Sequence, residues 1–136
     1  MISVGIDVGK RSHEVCLMDA EGRQIGRFIY AEIGDIHRFP NLESLVAFAG
    51  IDPTIFSSGE FEGTQRHISK RGSSYLRKAL GMAATGTHRW NLDLDAFFLK
   101  KLREGKSYGV AMGALCRKLL RRIYIILQEN RPYEVR

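Results

Sequence analysis

The apolar residues of this chain change their spacing partway along it. Ile2, Val4, Ile6 and Val8 alternate with Ser3, Gly5 and Asp7, the period of a strand with one apolar face. From residue 31 the spacing becomes helical. A chain that switches period in this way is expected to be α+β, with strands at one end and helices at the other.

The strands are read first. Gly9-Lys10 marks a turn, and a second apolar stretch runs through Val15, Cys16, Leu17 and Met18. The turn signal Asp19-Ala20-Glu21-Gly22 precedes a third stretch with Ile25, Phe28, Ile29 and Tyr30. This pattern predicts a three-stranded β meander, which needs cover from a helix, a sheet or another chain.

Four helices follow. Asn41 caps a short one with Leu42, Leu45, Val46 and Ala49 inward and Gly50 as its stop. Residues 51–72 hold Pro53, Gly59, Gly63 and Gly72 with little periodicity, a long loop of the kind that is either functional or disordered. Ser73 or Ser74 caps a helix to about Thr85, with Leu76, Leu80, Ala83 and Ala84 on one face. Asp93 caps the next, with Leu94, Phe98 and Leu102 inward and Gly105 at its end. Ser107 opens the longest, through Gln128, with a stripe of Tyr108, Met112, Leu115, Leu119, Ile123 and Ile126 or Leu127. The whole is mainly helical.

With 136 residues, 44% hydrophobic and 26% charged, the chain has the composition of one ordinary domain and not of a disordered one. No apolar run approaches the roughly 18 residues of a membrane span, and no basic-then-apolar leader opens the sequence. Cys16 and Cys116 are far apart and outside any CxxC pair, which suits a reducing cytoplasm. His13, His37, His67 and His88 show no ligand spacing.

The net charge of +6 is unevenly placed. Residues 1–60 hold five Lys/Arg against nine Asp/Glu, a net −4, and residues 61–136 hold sixteen against six, a net +10. A cationic excess concentrated on helices favours a polyanion, most often nucleic acid. A solvated cationic surface without a partner is the alternative.

Three segments can carry chemistry. Gly5-Ile6-Asp7-Val8-Gly9-Lys10 puts a hard carboxylate between glycines that allow close approach. RuvC-like nucleases and actin-like sugar kinases both begin this way, and a strand-edge carboxylate that keeps the edge soluble is the plain alternative. Phe56-Ser57-Ser58-Gly59 is either turn chemistry or a serine nucleophile. A nucleophile there has Arg66, Lys70, Arg71, Arg77 and Lys78 nearby to stabilise a phosphoryl transition state. Arg117, Lys118, Arg121 and Arg122 form i,i+4 pairs on one helix. Their mutual repulsion would be relieved by a polyanion. Tyr75 and Trp90 are read as core residues, and Phe97-Phe98 as a core pair.

Taken together, Ala31–Gly50 (AEIGDIHRFPNLESLVAFAG), Ser57-Ser58-Gly59, Ile68-Ser69-Lys70-Arg71-Gly72, Leu76-Arg77, Ala83-Ala84, Gly105-Lys106 and Arg117-Lys118-Leu119-Leu120 resemble one known domain. It is the C-terminal domain of a bacterial insertion-sequence transposase family. Those proteins join an N-terminal RuvC-like DEDD domain to a serine-nucleophile domain. They are related to Piv-type DNA invertases and include bridge-RNA-guided recombinases.

The resemblance implies residues 1–30 as shortened RuvC-like strands and 31–136 as the all-helical transposase domain, in an internally shortened copy. It implies DNA binding and strand exchange through Ser58, with Asp7 as the first DEDD ligand of Mg²⁺. The other three DEDD carboxylates have no match here. The nucleic-acid contacts it implies are Arg66, Lys70, Arg71, Arg77, Lys78, Lys106, Arg117, Lys118, Arg121 and Arg122. The implied partners are DNA, a guide RNA, and a second copy or a full-length transposase, in the bacterial cytoplasm at the nucleoid. Two other functions stay open: a catalytically silent nucleic-acid-binding or oligomerising module, and a remnant of an actin-like phosphotransferase.

Overall fold

The computed structural model describes residues 3–8, 13–18, 25–52, 57–58, 61–62 and 68–129. Strands β1 (Ser3–Val8) and β2 (His13–Met18) pair antiparallel with Ser3 opposite Met18 and Val8 opposite His13. The expected third strand does not exist. Ile25–Ile33 is a helix, α1, that packs on β2 and on α3 (Ser74–Trp90). The N-terminal three-stranded meander is therefore corrected to a two-stranded hairpin followed by a helix, and the described fold is mainly helical. The reason lies in the spacing of Ile25, Phe28, Ile29 and Ile33, which fits period 3.6 as well as a short apolar run. Burial settles the ambiguity, since Ile29 and Ile33, one turn apart, are both buried in the common core.

Gly34, in the left-handed region at φ +64°, ends α1, and its N–H donates to the Tyr30 carbonyl at 2.9 Å. A 3-10 turn, Ile36–Arg38, follows, capped by the Asp35 carboxylate accepting from the His37 N–H. It seats Ile36 and Phe39 in the core. Helix α2 (Leu42–Ala49) has the expected ends, with Asn41 Oδ1 accepting from the Ser44 N–H at 2.9 Å and Gly50 left-handed at φ +69°.

Within the long segment after α2, β3 (Ser57–Ser58) pairs with β4 (Phe61–Glu62). Ser73 caps α3, its Oγ accepting from the Leu76 N–H at 3.1 Å and donating to Glu32 of α1 at 2.6 Å. Helix α4 (Leu92–Arg103) is capped by Asn91 and not by Asp93. Asn91 Oδ1 accepts from the N–H groups of both Asp93 and Leu94, so Asp93 falls in the first turn. Helix α5 (Tyr108–Glu129) is the longest.

The core lies where α1, α3, α4 and α5 meet. Ile29, Ile33, Leu45, Leu76, Leu80, Leu115 and Leu120 are its largest fully buried side chains, each stabilising the fold by about 2 kcal/mol. Two residues assigned inward face out: Tyr75 is 74% exposed and Tyr108 60% exposed. Phe98 is in the core, while Phe97 is half-buried and packed against its edge. No helix among the described residues is long and apolar enough to cross a membrane.

Candidate nucleic-acid interface

Helical geometry sorts the side chains of α3 onto three faces. Leu76, Leu80, Ala83 and Ala84 enter the core, and Tyr75, Lys78 and Met82 face solvent. Arg77, Gly81 and Thr85, at i, i+4 and i+8, line an open groove. Gly113, Arg117 and Arg121 of α5, repeating at the same interval, line the same groove. A Cβ on Gly81 or Gly113 would meet nothing within 4 Å, so both glycines border open space in the groove.

Arg71, Lys106 and Lys118 join Arg77, Arg117 and Arg121 along this groove, with Lys101 and Arg122 beside them. Lys101, which reaches Glu104 at 3.2 Å, was not singled out in the sequence. Lys70 and Lys78 are exposed elsewhere. Lys70 sits on a left-handed backbone at φ +54°. Arg66 lies outside the described residues.

The cations are not equivalent. Arg122 pairs with the Asp93 carboxylate of α4, and Lys118 Nζ lies 3.6 Å from the same oxygen. Lys118 also sits 4.4 Å from the Phe97 ring centroid, a favourable cation–π distance. The repulsion expected among residues 117–122 is thus partly neutralised inside the fold. Arg77 donates to the Ala49 carbonyl at 3.4 Å and Arg117 to the Ile51 carbonyl at 3.3 Å. Each guanidinium has five N–H donors, of which these carbonyls each engage one. Arg71 pairs with Asp52 at 2.6 Å. Lys78, Lys106 and Arg121 form no ion pair among the described residues.

Ser58 lies on β3, opposite Phe61 of β4. Asp52 and Ile68, which flank the stretch holding this hairpin, both line the groove. Burial raises the Asp52 pKa, but the Ser69 hydroxyl and the Arg71 guanidinium outweigh it and hold the carboxyl below its ordinary value. Asp7 lies on β1 opposite Glu14 of β2. Among the described residues no three His, Cys, Asp or Glu side chains come together to hold a metal. A single carboxylate of the implied set does not by itself complete the near-octahedral oxygen ligation that Mg²⁺ needs.

The described residues thus form a mainly helical domain in which arginines and lysines of α3, α4, α5 and the neighbouring segments line one groove. The sequence model of the Transposase IS116/IS110/IS902 family matches residues 15–99, and the chain belongs to that family. It is 37% identical over 108 residues to the transposase for insertion sequence element IS1111A of Coxiella burnetii, covering 77% of this chain and 29% of that protein. It is 26% identical over 137 residues to the pilin gene-inverting protein of Moraxella bovis, covering 100% of this chain and 42% of that one. An uncharacterised insertion element IS110 protein of Streptomyces coelicolor is 24% identical over 120 residues, covering 88% of this chain and 29% of its own length. The chain thus spans less than half the length of these relatives.

Proposed function

We propose that this chain is the nucleic-acid-binding and strand-exchange portion of a DNA transposase. The observation that carries the reading is the placement of Arg77 on α3 and Arg117 and Arg121 on α5 along one groove. Their charges suit the phosphate backbone of DNA, or of a guide RNA, and each neutralised phosphate releases counterions.

In this reading Ser58 Oγ attacks a backbone phosphorus. The bond from phosphorus to one deoxyribose oxygen breaks, the serine proton ends on that oxygen, and a phosphoserine diester forms. A hydroxyl of a second strand then attacks the same phosphorus, releasing Ser58 and completing the exchange. The groove arginines stabilise charge on the phosphoryl oxygens. Asp7 would supply one carboxylate ligand to Mg²⁺ in a site that other groups must complete, and no step is assigned to the metal. The setting is the bacterial nucleoid, with a second copy or a longer transposase as partner.

The test is a salt titration of the purified chain on mixed duplex DNA and structured RNA. Affinity should fall with salt at a slope of about −0.9 per phosphate contacted. Gly113→Leu should weaken binding by filling the groove while leaving the fold intact. Binding that ignores salt, or that Gly113→Leu leaves unchanged, contradicts the groove. A protein–DNA adduct on a denaturing gel that survives Ser58→Ala removes the serine from the mechanism.

A second reading is a silent binding or oligomerising module. It is favoured by the groove cations, which lie on α3, α4, the turn after α4, α5 and the segment before α3 and owe nothing to Ser58. It predicts the same salt slope with no adduct.

A further inference from the structure

Five consecutive carbonyls run from the last turn of α2 into the next segment, and each accepts a hydrogen bond from elsewhere. Phe48 accepts from the Ser73 N–H at 2.7 Å, Gly50 from Lys70 at 3.0 Å and Asp52 from Ser69 at 2.9 Å. Ala49 and Ile51 accept from Arg77 and Arg117. Residues 48–52 and 69–73 therefore lie backbone against backbone, pinned from α3 and α5. Asp52 adds a side-chain link across the same seam. One carboxylate oxygen accepts from the Ser69 hydroxyl, and the other accepts from Arg71 Nη2 at 2.6 Å. The β3–β4 hairpin with Ser58 belongs to the chain between these two partners.

We propose that Asp52 is a positioning residue for Ser58. Its carboxylate closes the seam at the point where the serine-bearing segment leaves and rejoins the helical body, on the lining of the basic groove. The inference rests on the reading of Ser58 given above. Closing a loop of this length costs entropy, and a charge-assisted bond at its base holds the two ends in one register. The backbone bonds across the seam can form without the carboxylate, so its removal should make them open more often without unfolding α2 or α3. Asparagine keeps an acceptor for Ser69 and loses the charge that holds Arg71. It should therefore fall between the natural residue and alanine.

The experiment compares the natural chain with Asp52→Asn and Asp52→Ala by two readouts that need no activity. The first is amide hydrogen exchange at Ser69 and Lys70. It should be about tenfold faster in Asp52→Ala and intermediate in Asp52→Asn, while amides in the middle of α5 are unchanged. The second is the rate of maleimide labelling at Ser58→Cys in a Cys16→Ser background, which should shift in the same order. A third readout is adduct yield on duplex DNA, expected to fall in that order while the salt slope of binding is kept. Equal exchange and equal labelling in all three chains would overturn the proposal. If exchange and labelling follow the order but the natural chain gives no adduct, the seam stands as a clamp and the serine mechanism fails instead.

Discussion

A Cβ placed on Gly72 would run into the carbonyl oxygen of Phe48. Gly72 also has φ +75°, so a side chain there meets both a strained backbone and an immovable neighbour. Gly105 has a similar φ of +82° but open space around it. Gly105→Ala should cost about 1–2 kcal/mol and Gly72→Ala clearly more, measured by urea unfolding. Equal losses would mean the seam between α2 and α3 yields more easily than its contacts imply.

The acid side of the stability curve should carry the mark of Asp52. Its folded pKa lies below the ordinary 3.8, so the fold prefers the charged form. That contribution is complete above the unfolded value and is lost as pH falls through the folded one. The stability advantage over Asp52→Asn should be level from neutrality to about pH 5 and shrink in more acid solution. A constant difference down to the acid limit would deny the ion pair.

Asn91, not Asp93, holds the start of α4. Asn91→Ala should cost about 1 kcal/mol. Asp93→Asn, which removes partly exposed ion pairs, should cost between about zero and 1 kcal/mol. Thermal unfolding of the two variants checks the order, and a reversed order would return the cap to Asp93.

Asp93 should matter more for binding than for folding. With its charge gone, Lys118 loses its carboxylate partner beside the groove, and the affinity for duplex DNA should rise and its salt slope steepen. Arg121→Gln should reduce the slope by about one contact, and Lys118→Gln should change it less. Slopes measured by fluorescence anisotropy decide this, and identical losses for Arg121 and Lys118 would show that the ion pair does not withhold Lys118.

Cys116 is buried on α5, and burial pushes its thiol pKa up to about 11. It should resist alkylation in the native chain near neutral pH and react once urea unfolds it, which mass spectrometry can follow. Rapid native labelling at Cys116 would contradict its packing.

Local signals located much of the helical body. Asn41 and Gly50 bracket α2, and the Leu76, Leu80, Ala83 and Ala84 face of α3 is buried as its spacing implies, because capping and amphipathic period act within one or two turns. The family resemblance was also legible, since its motifs are short runs of residues. Position 25–33 was not, because an apolar run around Phe28, Ile29 and Tyr30 fits strand and helix alike. The choice of Asn91 over Asp93 as cap was equally undetermined, because either side chain can accept from the first turn. What each cation does was beyond local reading altogether. Arg122 meets Asp93 across 29 residues and Arg117 meets Ile51 across 66. A sequence counts charges, but only the packing of α4 and α2 against α5 decides which of them are left for a ligand.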